Sequence, residues 1–161
     1  MPDNASFWRR RVVTPILGQL QQGITPEKIA LTLALGGVLG IFPIIGLTTL
    51  LCAVVGVVLG LNQPIIQLIN YLMYPAHLAL LIPYYRAGEA LFGVPPVPIF
   101  SISDLLARFE AGPWQFIADY GMVGVYGVVV WCLTAPLLAA AAYFTLRPLL
   151  RSLSSDSGAT A

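Results

Sequence analysis

Gln63, Gln67, Asn70, Tyr74 and His77 follow one another at steps of 4, 3, 4 and 3 residues. That spacing puts five polar side chains on one face of an otherwise apolar helix. Such a face has two uses. It can line a hydrophilic groove, with His77 able to titrate near neutral pH. It can instead hold helices together, since Asn and Gln bond to neighbouring helices at roughly 0.6–2 kcal/mol each. A second constellation lies upstream, at Phe42-Pro43-Ile44-Ile45-Gly46-Leu47-Thr48-Thr49. Pro43 and Gly46 break the chain there, and a helix restarting near Gly46 to Thr49 opens with N–H groups that have no intrahelical partner. Its dipole is positive at that end, and the Thr48 and Thr49 hydroxyls add donors. A broken-helix end of this kind can hold an anionic group; otherwise Thr48 or Thr49 simply caps the helix. The candidate ligand-binding residues are therefore Gly46, Thr48, Thr49, Gln67, Asn70, Tyr74 and His77, with Pro43 and Gly46 making the turn.

Catalysis and metal binding find little support. His77 is the single histidine, and no carboxylate falls in either long apolar stretch. No paired carboxylates, nucleophile–base pair, metal-ligand spacing or nucleotide-binding glycine motif is present. The sequence predicts a protein that is not an enzyme and needs no cofactor or metal. Cys52 and Cys132 sit far apart inside apolar stretches and read as buried free thiols.

The elements that must position these residues are membrane elements. From Ile29 to Tyr85 there are 57 residues without Asp, Glu, Lys or Arg. The whole chain of 161 residues is 58% hydrophobic and only 9% charged, against roughly 25% in soluble domains. A net charge of +1 gives no reason to expect a nucleic-acid partner. The run Ile29 to Leu61 splits at the Pro43/Gly46 break into arms of about 21 and 22 Å as helices. Neither spans a hydrocarbon core of about 30 Å comfortably. The expectation is a re-entrant hairpin, with Gly40 level with Thr49 and Gly36 level with Ala53 so that small residues face each other. Gly56 and Gly60 are left for a contact with another subunit.

A span from Ile65 to Tyr85, kinked at Pro75, follows the hairpin, and Arg86 and Glu89 close it as an ion pair. Tyr71, Tyr84, Tyr85, Trp114, Tyr120 and Tyr143 read as interface anchors. The expected organisation is a single membrane domain, 1–161. It comprises a basic amphipathic cytosolic segment (1–24), a core with the hairpin and first span (25–93), and an external loop with an interfacial helix (94–120). A second span (121–146), kinked at Pro136, and a cytosolic tail (147–161) complete it. Arg9, Arg10, Arg11, Lys28, Arg147 and Arg151 then share one side, and Arg86 and Arg108 the other. That imbalance puts both termini in the cytoplasm.

The stretches Thr25-Pro26-Glu27-Lys28-Ile29-Ala30 and Gly40 to Thr49, then Asn62, then Asn70-Tyr71-Leu72-Met73-Tyr74-Pro75, resemble the bacterial domain-of-unknown-function-2062 family. The resemblance covers roughly Ile24 to Gly93. Many members have Gln before the first Thr and Asn-Pro before a Thr in the second motif. This chain has Leu47 and Tyr74-Pro75-Ala76-His77, which marks a variant branch. Some relatives are joined to glycosyltransferase-like domains, and none lies in these residues. The resemblance implies a bacterial membrane protein and carries no established activity.

The combined expectation is an all-α integral inner-membrane protein with a re-entrant Pro/Gly hairpin, two spans and amphipathic interfacial helices. It would contact membrane lipids, form a homo-oligomer, and bind or move a small or lipid-linked anionic solute at the broken helix. The alternative is a non-transporting accessory or scaffold subunit for an envelope-biosynthesis enzyme.

Overall fold

The computed structural model describes residues 24–97 and 102–158. The expected basic amphipathic segment, up to Gly23, and the end of the tail lie outside the described residues. Among the described residues the fold is all helix, with no strand. The helices are α1 (Pro26–Gly40), α2 (Thr48–Val58), α3 (Gln63–Leu72), α4 (Tyr74–Phe92), α5 (Ile102–Ala111) and α6 (Pro113–Gly158).

Local sequence sets most of the boundaries. Thr25 caps α1 by accepting from the Lys28 N–H at 3.3 Å, and Pro26 fits its first turn. Asn62 caps α3 in the same way, accepting from Ile65 N–H at 3.0 Å. Gly60 ends α2 at φ 58°: Leu61 N–H bonds to Gly56 O at 2.7 Å and Gly60 N–H to Val57 O at 3.1 Å. This is a Schellman stop, which needs a left-handed residue.

α1 and α2 form an antiparallel hairpin. Leu39 meets Cys52 in one buried cluster, while Lys28 at the far end of α1 lies beside Gly60. α3 packs against both arms, and here the expected contact between small residues is corrected. Gly36 and Gly40 face α3, not α2. A Cβ at 36 would lie 3.1 Å from Ile66 O, and one at 40 would lie 3.0 Å from the Met73 Cβ. Gly56 is likewise taken up inside the chain, under the Gln63 side chain. The glycines serve intrachain helix packing because a third helix lies against the arms.

The expected first span is two helices, α3 and α4, bent by 62° at Met73. Pro75 lacks an N–H, so the ladder cannot run unbroken through this point. α4 continues past Arg86 and Glu89 to Phe92, so that pair lies within the helix rather than at its end. α6 is long and apolar enough to cross a membrane; its most apolar window has mean hydropathy 2.0. Only 17% of that window is buried, which distinguishes it from the core helix of a soluble protein. α6 runs without interruption through 120, 146, Pro136 and Pro148. The segment limits at 120 and 146 thus mark a change in polarity, not an end of helix. α1 and α4 both lie along α6, with Ile29 and Ala30 packed on Leu150, and Gly88 against the Tyr126 backbone.

Candidate functional site

The site is built around the break between α1 and α2, where regular hydrogen bonding stops. The last carbonyls of α1 and those of the turn need donors. Three side chains from outside the hairpin face them. The Trp131 indole of α6 donates to Val38 O at 3.1 Å, and the Tyr85 hydroxyl of α4 donates to Pro43 O at 2.9 Å. The His77 imidazole stands beside the Gly40 carbonyl. Trp131 also packs edge-on against Phe42, with ring centroids 5.0 Å apart. Gly46, at φ 89°, turns the chain in the left-handed region. No side chain among the described residues caps α2, whose first turn starts from Leu47.

α3 lays an amide ladder along α2. Gln63 Nε2 donates to Ala53 O at 3.0 Å and Gln67 Nε2 to Thr49 O at 3.1 Å. Asn70 Nδ2 donates to Thr49 Oγ1 at 3.2 Å and to Gln67 Oε1 at 3.4 Å. Because the Thr49 hydroxyl accepts from Asn70, its own proton is left to point elsewhere.

At the upper end of this ladder a cavity of about 470 Å³ opens. Gly40, Ile45, Gly46, Thr48 and Thr49 form one wall, and Asn70, Tyr71 and Tyr74 the other. The structure therefore brings together five of the seven candidate residues: Gly46, Thr48, Thr49, Asn70 and Tyr74. Gln67 stands behind them, holding Asn70 and Thr49. His77 is 2% exposed, outside the lining, with its ring stacked on Tyr74 at 6.1 Å. Its Nδ1 has no hydrogen-bond partner among the described residues. Pro43 is buried below the turn. None of the lining residues is charged. Among the described residues no three His, Cys, Asp or Glu come together as a metal site.

Sequence reasoning assigned Tyr85 to an interface belt and gave Trp131 no role. Both face the break, and the signal for them was weak: each is an aromatic with a donor inside an apolar stretch. Glu89 is a second surprise. It is 2% exposed, takes Arg86 at 2.7 Å on one oxygen and the Val97 N–H at 2.8 Å on the other. Its acceptors thus fasten the chain after α4 back onto that helix. The i, i+3 spacing had identified the ion pair, but not the backbone donor.

No curated protein and no solved structure matches the chain. Residues 10–157 match the family described as an uncharacterised protein conserved in bacteria, DUF2062, and the chain belongs to that family.

Proposed function

We propose that this is an integral protein of the bacterial inner membrane, and that the cavity at the α1–α2 break binds or moves a small or lipid-linked anionic solute. The observation that carries this reading is the first turn of α2. It has no side-chain cap and opens on a 470 Å³ cavity flanked by two threonines. A helix N-terminus offers about half a positive charge and free N–H donors, and both gain strength where water is scarce.

Membrane placement draws on three features. α6 is long and apolar enough to span, and so are α3 and α4 taken as one bent unit. The hairpin tip meets α6 at Gly127 and Trp131, about 9–15 Å inside the apolar stretch that opens at Gly121. A turn at that depth fits re-entry rather than crossing, with two spans and both termini cytoplasmic. Any self-association has to use a surface other than Gly56.

The test is ligand-dependent stability. A polyprenyl phosphate or another anionic lipid should raise the melting temperature of the wild type, and Thr48→Val should abolish the rise. The second reading, a scaffold for an envelope-biosynthesis enzyme, draws on the amide ladder, whose donors are spent within the chain. Under it, Asn70→Leu and Thr48→Val each lower stability with no ligand-dependent term. Failure of phosphate-bearing lipids and small anions alike to stabilise the wild type would leave only that reading.

A further inference from the structure

We propose that the headgroup this cavity takes is a zwitterionic phosphodiester carrying its own ammonium, as in aminoalkyl phospholipids, with its chains lying along the outer face of α2. The proposal rests on the phosphate-binding part of the reading above and replaces its net anion by a group with no net charge.

Charge is the first reason. The α2 terminus supplies about +0.5 of an elementary charge. A phosphomonoester brings roughly −1.5 to −2, and none of the residues lining the cavity is a lysine or arginine to balance it. Uncompensated charge in an apolar surrounding is strongly disfavoured. A zwitterion brings no net charge and still presents phosphate oxygens to the N–H groups and threonine hydroxyls.

The second reason is an acceptor in a site otherwise built of donors. Asn70 is 4% exposed and lines the cavity, and both its amide hydrogens are used, on Thr49 Oγ1 and Gln67 Oε1. Its Oδ1 has no partner among the described residues. Turning the amide over would set Oδ1 against the Gln67 oxygen, so the orientation is fixed by its neighbours. An ammonium group satisfies this oxygen. Tyr71 and Tyr74, on either side of the bend at Met73 and both lining the cavity, offer ring faces that attract a cation.

The third reason is the route for the chains. Leu50, Val54, Val57 and Val58 are all at least half exposed and lie at i, i+4, i+7 and i+8. They form one apolar stripe that begins directly after Thr48 and Thr49 of the cavity wall. A headgroup seated in the cavity would leave its chains on this stripe.

The full-length protein in dodecyl maltoside would be titrated separately with dioleoyl phosphatidylethanolamine, phosphatidylglycerol and phosphatidic acid, and with soluble glycerophosphoethanolamine. Melting temperature and lipid retained in native mass spectra are the readouts. Phosphatidylethanolamine should bind about tenfold more tightly than phosphatidylglycerol, and the soluble headgroup should leave the melting temperature unchanged. Tyr71→Leu and Tyr74→Leu, both at exposed rings, should each erase the preference while keeping the response common to all three lipids. Equal or tighter binding of phosphatidylglycerol or phosphatidic acid overturns the zwitterion and leaves the anion reading standing. A soluble headgroup that stabilises as well as the lipid overturns the assignment of the chains. Loss of affinity for all three lipids in both tyrosine variants overturns the ammonium contact. If no lipid stabilises the protein, this proposal and the anion reading fall together.

Discussion

Trp131 and Tyr85 show what a single donor contributes where a helix breaks inside apolar surroundings. Each faces a carbonyl that water would otherwise have to satisfy. Trp131→Phe keeps a ring against Phe42 and leaves Val38 O without its donor. Thermal or denaturant unfolding in detergent should show a loss of about 1–3 kcal/mol, the usual penalty for an unsatisfied buried group. Wild-type stability in this variant would mean that the indole only fills space. Glu89 is the sharper case, because its carboxylate is buried while Arg86 is about one-third exposed. Glu89→Ala removes the carboxylate that Arg86 contacts and takes the acceptor from the Val97 N–H. It should cost about 2–4 kcal/mol, somewhat under the usual figure for breaking a fully buried pair since Arg86 reaches solvent. Glu89→Gln retains an acceptor for Val97 and should lose less. Protease sensitivity after Gly93 should rise in the alanine variant first.

Helix packing depends on where backbones approach closely, and the glycines report it. Gly36 and Gly37 are adjacent in sequence and opposite in surroundings. A Cβ at 36 meets α3 at 3.1–3.3 Å, whereas nothing lies within 4 Å of one at 37. Gly36→Ala should therefore destabilise by about 1–3 kcal/mol through overpacking. Gly37→Ala should be neutral or stabilise by up to about 1 kcal/mol through helix propensity. Gly88 has no room at all, since a Cβ there would sit 2.6–2.7 Å from the Tyr126 backbone of α6. Gly88→Ala should separate α4 from α6 and be the most damaging of the three. Equal effects at 36 and 37 in the same unfolding assay would contradict the placement of α3 against α1.

Across the whole molecule, charge gathers at the two ends of the helix set. Glu27 at the start of α1 meets Arg151 at 2.5 Å and Arg147 at 3.6 Å near the end of α6. Arg86 and Glu89 lie at the opposite end, where Phe92 stacks on Tyr126. The α1 N-terminal backbone N–H, then Arg151 and Arg147, hold the Glu27 carboxyl below its ordinary range. A depressed carboxylate contributes stability above its unfolded-state value and loses it as pH falls through the lower folded value. Stability should thus drop on acidification below the ordinary carboxylate range, and Glu27→Gln should flatten that part of the profile. An unchanged profile in the variant would assign the acid sensitivity to another carboxylate. The same segregation frames a topology experiment. In a background free of cysteine, Lys28→Cys and Asn62→Cys should both react with an impermeant thiol reagent from the cytoplasmic side. Ile44→Cys should not react from the outer side; if it does, re-entry is wrong.

Charge-free length and the Pro43/Gly46 break are local properties, and the helical class and the restart of the chain as α2 were legible from them, whereas the separate start of α4 at Tyr74 and the start of α6 at Pro113 were not. A 3–4 step fixes which side chains of one helix share a face, yet of the five residues on that step only Asn70 and Tyr74 line the cavity, while Gln63, Gln67 and His77 do not. Partners were a different matter. Gly36 could have faced α2 or α3, and its spacing is compatible with both. Only the position of a third helix against the hairpin decided it. Trp131 lies 93 residues from the carbonyl it meets, and no pattern along the chain links two groups so distant. The 62° bend between α3 and α4 turned the predicted single polar face into a cavity wall with His77 behind it. Helix periodicity alone cannot supply that angle, because a kink's direction depends on the neighbours the two helices pack against.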